Sequence, residues 1–247
     1  VAAQAIQEAV SKARASSGTV IVMDPKTGHI LAHATAPTFD PNNTKSVSQS
    51  LMRNPSVQDV YEPGSTGKIM TLAAALEEKK VTPETVLSVP YSLKRGGDTF
   101  HDHERHPIQH LTTAGILAVS SNTGTIKIGE MLSNEKLHDY LTKFGIGVST
   151  GSGLPGESRG IFHPVNEWSG TTAPTVAFGQ GYSVTAMQAT SIFATIANDG
   201  VRVSPTVIAG TSDPSGKFTV AAARKSERVV SAKTAQQVRL MMESVVS

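Results

Sequence analysis

The chain carries an apolar helical run that begins directly after a tight turn. Pro63-Gly64 favours the turn, and residues 69–79 predict a helix. Ser65-Thr66-Gly67-Lys68 then lies at or near the helix N-terminus, where residues three apart share a face. The apolar run would desolvate the Lys68 amine and lower its pKa until it accepts a proton. Ser65 is therefore a candidate acyl acceptor with Lys68 as its base.

A second polar motif lies further along the chain. Residues 119–124 read Val-Ser-Ser-Asn-Thr-Gly and fall between helical patterns at 112–119 and 123–131. A bend between two helices can present Ser120 and Asn122 on one side. Each motif also has a local explanation, since a Ser-x-x-Lys can be a helix cap with a solvated lysine and the second motif a C-cap running into an N-cap. The order and spacing of the pair favour catalysis over these alternatives.

Three more blocks complete an ordered pattern, at residues 17–28, 37–43 and 178–188. With these five blocks the chain resembles, over nearly its whole length, the transpeptidase domain of class B penicillin-binding proteins, closest to the septal cell-division type. The resemblance implies an α/β (α+β) fold, with a helical body against an antiparallel sheet, in one transpeptidase domain over residues 1–247. No cofactor is expected.

The implied activity is that of a peptidoglycan D,D-transpeptidase that crosslinks stem peptides through an acyl-Ser65 intermediate and is inhibited by beta-lactams. The partners implied are the D-Ala-D-Ala stem peptide, beta-lactams, and membrane proteins of cell division and wall synthesis. Two alternatives stay open: a serine beta-lactamase of related fold, and a non-catalytic penicillin-binding sensor or scaffold.

The resemblance also assigns residue roles. Ser65 is the nucleophile, Lys68 the general base, Ser120 the proton relay to the leaving group, and Asn122 the residue that positions the acyl amide and holds Lys68. The Ser65 N–H would form half of an oxyanion hole. The residues expected to contact substrate are Gly64, Thr123, Gln180, Gly181 and Tyr182.

The family's third motif, a Lys-Thr-Gly or similar triplet, does not follow Ser120 in this chain. Lys26-Thr27-Gly28 precedes Ser65 and lies between strand-like runs at 19–24 and 29–35, so we predict a hairpin turn there. We expect the third motif and the C-terminal strands to lie beyond Ser247. Without them, an exposed apolar patch is predicted near the hairpin, because two strands alone are marginal in water.

Composition limits the other functions and sites that the chain could have. The net charge is +2 and the basic residues are scattered, which gives no support for nucleic-acid binding. The absence of cysteine excludes disulfides, thiol catalysis and Cys-zinc sites. No apolar run reaches eighteen residues. The resemblance implies a membrane anchor and a pedestal domain upstream of Val1, which would place this domain on the extracytoplasmic face of the cytoplasmic membrane.

Two further segments suggest other sites. His101, Asp102, His103, Glu104 and His106, with His110 nearby, could hold zinc, although a solvated polar loop is the favoured interpretation and no metal is expected. The glycine-rich stretch 178–182 lacks the lysine and the strand context of a phosphate-binding loop, so we reject a nucleotide site.

Overall fold

The computed structural model describes residues 1–45 and 47–246. Ser46 and Ser247, the last residue of the expected domain, lie outside the described residues. The described helices, in chain order, are α1 (Ala2–Ala13), α2 (Pro55–Gln58), α3 (Lys68–Glu77), α4 (Thr113–Ala118), α5 (Asn122–Gly129), α6 (Asn134–Phe144), α7 (Thr172–Ala177), α8 (Ala186–Ala197) and α9 (Ala232–Val246).

The described strands form antiparallel pairs, which are β1–β2, β3–β6, β4–β5, β7–β10 and β8–β9. Their bounds are β1 (Gly18–Met23), β2 (Ile30–Ala36), β3 (Val86–Val89), β4 (Ser92–Arg95), β5 (Asp98–His101), β6 (Gln109–Thr112), β7 (Val201–Val203), β8 (Gly210–Ser212), β9 (Phe218–Val220) and β10 (Ser226–Arg228). The predicted mixture of helices with antiparallel strands is confirmed.

Helix α3 is the centre of the hydrophobic core. All its residues from Lys68 to Leu76 are buried, and it packs against α5, α6 and α9. A helix buried on every side needs apolar or small residues all round, and α3 supplies them in Ile-Met-Thr-Leu-Ala-Ala-Ala-Leu. Lys68, at its first position, is the charged exception. The fold therefore places an ionisable amine at the edge of a dry core.

Local sequence signals set the ends of several helices. Gly145 terminates α6 with φ 111°, a backbone conformation that glycine adopts without steric cost. Thr185 and Gln188 form both bonds of a capping box at the start of α8. The Ser231 hydroxyl accepts from the Thr234 N–H at 3.2 Å at the start of α9. Each of these caps depends on residues next to the helix end.

The β1–β2 hairpin confirms the interpretation of Lys26-Thr27-Gly28 as a turn. The Lys26 N–H donates to Asp24 Oδ1 at 2.9 Å, and Gly28 closes the turn with φ 75°. Helix α1 packs against both strands of the hairpin. Within residues 1–45 and 47–246, β1 pairs only with β2, and Val22 and Leu31 stay 46% and 69% exposed. The predicted exposed apolar surface near the hairpin is therefore present.

Four of the described strand pairs were not predicted from the sequence, and two of them shape the loop beside the second motif. β3 pairs with β6, and β4 pairs with β5 just before Asp102. None of the helices in the described part of the chain is both long and apolar enough to cross a membrane.

Candidate active site

Ser65 lies on a 3-10 turn, Gly64–Gly67, that runs directly into α3. The Gly64 N–H donates to the Gly179 carbonyl at 2.8 Å. A Cβ on Gly179 would lie 1.8 Å from the Gly64 oxygen, and its φ is 95°, so only glycine fits. This contact ties the turn to the segment before α8 while Ser65 itself stays exposed.

Tyr182 supports the same turn from behind. Its hydroxyl would lie 2.4 Å from a Cβ on Gly67, and the side chain is 2% exposed and packs edge-on against Phe162. The predicted substrate contact by the Tyr182 side chain is therefore wrong, because the core covers it. The Gly181 N–H donates to Glu62 Oε1 at 2.8 Å. Gln180 and Gly181 are exposed, and their predicted contacts with substrate stay predictions.

Lys68 is fully buried, and its amine faces the second motif. Nζ donates to the Ser120 carbonyl and, at 3.1 Å, to Ser120 Oγ. Burial lowers the pKa of Lys68 from 10.5 to about 8, and the charge of Asp102 opposes part of that shift. Among the described residues, no hydrogen bond joins Nζ to Ser65 Oγ. The amine is therefore tuned as predicted, but in this structure it contacts Ser120 first.

Ser120 has an unusual backbone that explains this contact. Its φ is 56°, a left-handed conformation that a residue with a Cβ rarely adopts. The Ser120 N–H donates to the Leu117 carbonyl at 3.0 Å at the end of α4. In this conformation both oxygens of Ser120 face the Lys68 amine.

Asn122 and Thr123 begin α5, and the structure corrects one prediction for each. Asn122 Nδ2 donates to the His101 carbonyl at 2.9 Å and makes no described bond to Lys68, whose amine is occupied by Ser120. The predicted holding of Lys68 by Asn122 is thus wrong. Thr123 is fully buried, and its hydroxyl donates to the Pro90 carbonyl at 2.7 Å, so its side chain supports α5 and does not reach substrate.

Asp102 is the residue that the sequence interpretation missed, since it was considered only as a metal ligand. Its carboxylate accepts from Ser121 Oγ at 2.7 Å, from the Thr123 N–H at 2.9 Å, and from His106 Nε2 at 3.0 Å. Over the described ranges, no three side chains of metal-binding type come together. The signal for its role was its charge within a polar loop, but its partners depend on strand pairs that were not predicted.

Ser65 and Ser120 open onto one pocket of about 310 Å³. Its other walls are mostly apolar and come from α3, α4, α8 and α9, through Ile69, Leu117, Phe193 and Met242. Apolar walls exclude water and strengthen the electrostatic interactions of the polar groups at the floor. The two motifs that the sequence paired therefore share one cleft.

A family model described as the penicillin binding protein transpeptidase domain matches residues 18–247. The chain belongs to this family. Among curated proteins it is 42% identical, over 98% of its length, to penicillin-binding protein PbpB of Mycobacterium tuberculosis, of which it covers 36%. It is 36% identical, over 79% of its length, to peptidoglycan D,D-transpeptidase FtsI of Escherichia coli, of which it covers 33%. The resemblance noted from the five blocks is confirmed.

Solved structures agree with this assignment. The chain matches the crystal structure of penicillin-binding protein 3 from Mycobacterium tuberculosis complexed with aztreonam with a TM-score of 0.96 and 41% identity, covering 100% of this chain and 55% of that one. The same protein has been solved with ampicillin. The penicillin-binding transpeptidase fold is thus confirmed. The chain spans about a third of the length of the two curated relatives named above.

Proposed function

We propose that this chain is the acylating domain of a peptidoglycan D,D-transpeptidase that crosslinks stem peptides and is inhibited by beta-lactams. One observation carries the proposal: a fully buried lysine with a lowered pKa contacts Ser120 at the floor of the pocket that also exposes Ser65. With a pKa of about 8, roughly one Lys68 in ten is neutral at pH 7, against fewer than one in a thousand for an ordinary lysine.

Acylation then proceeds in two proton-coupled steps. Neutral Lys68 takes the Ser65 proton as Ser65 Oγ attacks the carbonyl carbon of the penultimate D-Ala. The tetrahedral intermediate collapses, the C–N bond breaks, and the terminal D-Ala nitrogen receives a proton through Ser120 from the Lys68 ammonium. An amine of a neighbouring stem peptide next attacks the carbonyl carbon of acyl-Ser65, so that the C–N bond of the crosslink forms and the C–Oγ bond breaks. The proton that the amine loses returns to Ser65 Oγ through Lys68. The contact of Lys68 Nζ with Ser120 Oγ at 3.1 Å supports this relay.

Other exposed groups complete the proposed substrate site. The Ser65 N–H would donate to the developing oxyanion, and Asn122 would position the acyl amide once its side chain turns from the His101 carbonyl. Gly64 leaves open space where a Cβ would stand, so substrate backbone can approach the turn. Gln180 and Gly181 border the same turn through the contact of Glu62 with Gly181.

The carboxylates beside the motifs favour a transpeptidase over a beta-lactamase. A carboxylate that deacylates an acyl-serine by general-base catalysis must be free to activate water. Glu62 accepts from the Gly181 N–H, and Asp102 accepts from Ser121, Thr123 and His106. Both groups are thus engaged in holding backbone and side chains.

The proposal extends to the setting of the domain. We place it on the extracytoplasmic face of the cytoplasmic membrane, anchored by an N-terminal segment and a pedestal domain outside this chain, with the third motif supplied after Ser247. Membrane proteins of cell division and wall synthesis are the proposed partners. The resemblance to the septal cell-division type supports this setting and the division role, and similarity to a relative named as a peptidoglycan D,D-transpeptidase supports the crosslinking reaction.

Labelling with a fluorescent penicillin tests the function in the full-length protein that contains this chain. We expect one stable label per molecule, abolished by Ser65→Ala and retained by Ser92→Ala, which changes an exposed serine in β4. Label that forms and is lost quickly would indicate a beta-lactamase. A full-length protein that takes no label would indicate a scaffold, and label on Ser65→Ala would disprove the nucleophile assignment.

A further inference from the structure

The left-handed backbone of Ser120 needs support from its surroundings. A residue with a Cβ keeps such a conformation only where neighbouring contacts determine it. Ser120 follows α4, whose last turn fixes its N–H through the Leu117 carbonyl. On its other side the chain enters α5 at once, through Ser121 and Asn122. The contacts of α5's first turn therefore decide where the Ser120 oxygens point.

Those contacts converge on Asp102. One carboxylate oxygen accepts from the Thr123 N–H at 2.9 Å, and the other accepts from Ser121 Oγ at 2.7 Å. The preceding residue, His101, accepts from Asn122 Nδ2 at 2.9 Å. Residues 121–123 are thus each bonded to the segment 101–102, which strand β5 delivers after its pairing with β4. Asp102 bridges two parts of the chain some twenty residues apart.

His106 contacts the Asp102 carboxylate through its imidazole ring. Its Nε2 faces Asp102 Oδ2 at 3.0 Å, and its Nδ1 faces the Pro107 carbonyl at 2.7 Å. A carbonyl and a carboxylate both accept, so these two contacts favour the protonated ring, in which both nitrogens donate. The pKa of His106 is correspondingly raised by the Pro107 carbonyl and by Asp102. Tyr91 packs edge-on against the same ring.

We propose that Asp102, with His106 as its counter-ion, is a positioning residue that holds Ser120 against Lys68. The inference rests on the proposed function, because it assigns a supporting role within that reaction. Asp102 need not touch substrate. It fixes the first turn of α5, and that turn fixes the Ser120 carbonyl and hydroxyl that receive the Lys68 amine.

Asp102 also acts on Lys68 through its charge. Burial lowers the Lys68 pKa, and the Asp102 carboxylate raises it part of the way back. The titratable groups around Asp102 are Lys68 from α3 and, from its own loop, His106 at hydrogen-bond distance together with His103, Glu104 and Arg105, which line one pocket with Asp102. Helix α5 presents hydroxyls and a backbone N–H. Loss of the Asp102 charge should move the Lys68 pKa down, and loss of the His106 charge should move it up. A residue that only stabilised the fold would do neither.

The test compares penicillin acylation rates from pH 6 to 10 in the full-length protein and three variants. Asp102→Asn keeps the size but not the charge, and we expect acylation at the pH optimum to fall about 10- to 100-fold, as for a displaced catalytic group. The rising limb of its pH profile should shift to lower pH. His106→Gln should shift that limb to higher pH. Asp98→Asn, which changes an exposed carboxylate in the same hairpin, should match the wild type.

Each result decides the question. An unshifted limb in both variants, with or without a uniform loss of rate, would overturn the proposal in favour of a structural role. A wild type that takes no label would count against the proposed function instead. NMR titration of the Lys68 side chain needs no acylation and covers that case: opposite pKa shifts in Asp102→Asn and His106→Gln support the positioning role, and an unchanged Lys68 pKa disproves it.

Discussion

The helical body around Lys68 and the β1–β2 hairpin differ sharply in how they are packed. Helix α3 is buried from Lys68 to Leu76 and has other helices around it. No residue of β1 is fully buried, and Val22 and Leu31 remain open to solvent. Desolvation is what lowers the Lys68 pKa, so the helices, and not the hairpin, supply the electrostatic environment of the site.

This contrast gives the two regions different dependence on pH. Between about pH 8 and 10.5, Lys68 is largely deprotonated in the native state, where its pKa is about 8. In the unfolded chain its pKa is 10.5, so it still binds the proton in that window. The unfolded state therefore holds more protons in that window, and the free energy of unfolding rises with pH between about 8 and 10.5. Burial of Lys68 therefore lowers the stability of the helical body at neutral pH and supplies a lysine that can act as a base.

Lys68→Met should give the largest effect. Removal of the general base is expected to lower the penicillin acylation rate by roughly 100- to 10,000-fold. The same change removes a buried charge, so the free energy of unfolding at pH 7 should rise, and its increase between pH 8 and 10.5 should disappear. Stopped-flow labelling and denaturant titrations at several pH values measure both.

Lys127→Met is the matched control, since Lys127 is half-buried on α5 and donates to the Ser88 carbonyl. In this variant the rising limb of the pH profile of acylation should lie at the same pH as in the wild type. A Lys68→Met protein that labels at the wild-type rate would remove the assignment of Lys68 as base.

The second largest effect should come from the same Leu→Ala truncation made in the helical body and in the hairpin. Leu72→Ala, at a fully buried site in α3, is expected to lower the free energy of unfolding by roughly 2–5 kcal/mol, because it leaves a cavity. Leu31→Ala, on the open face of β2, should change it by less than about 0.5 kcal/mol. Urea unfolding followed by circular dichroism gives both values. Equal losses would show that the hairpin is covered in solution.

Elements with local signals were predictable from the sequence. The turn at Lys26-Thr27-Gly28, the cap formed by Thr185 and Gln188, and the stop at Gly145 each depend on residues within a few positions. Ser65 and Lys68 follow from the same kind of signal, a turn joined to an apolar helix. Short-range chemistry determines these features whatever the rest of the chain does.

Features that depend on long-range pairing were not predictable. Asn122 bonds to His101 and not to Lys68, because β4 and β5 bring residue 101 to the start of α5. These strands have four residues each and only one apolar side chain each, Leu93 and Phe100. Tyr182 sits under Gly67 although 115 positions separate them, and nothing near residue 182 encodes that contact. A sequence motif can therefore indicate the part of the structure in which a residue lies without indicating which residue it contacts.

Comparing Gly179→Ala with Gly97→Ala tests how tightly the turn that carries Ser65 packs against Gly179. Of the effects predicted here, this difference is expected to be the smallest. Both glycines have nearly the same φ, 95° and 96°, so the part of the strain that comes from a Cβ at positive φ is similar in the two variants. At Gly97 the added methyl meets nothing within 4 Å, whereas at Gly179 it lies 1.8 Å from the Gly64 oxygen. We expect Gly179→Ala to lose about 1–3 kcal/mol more than Gly97→Ala and to label more slowly, because Ser65 shares the displaced turn. Urea unfolding and labelling rates test this, and equal losses in the two variants would mean that the turn carrying Ser65 yields as readily as an open loop.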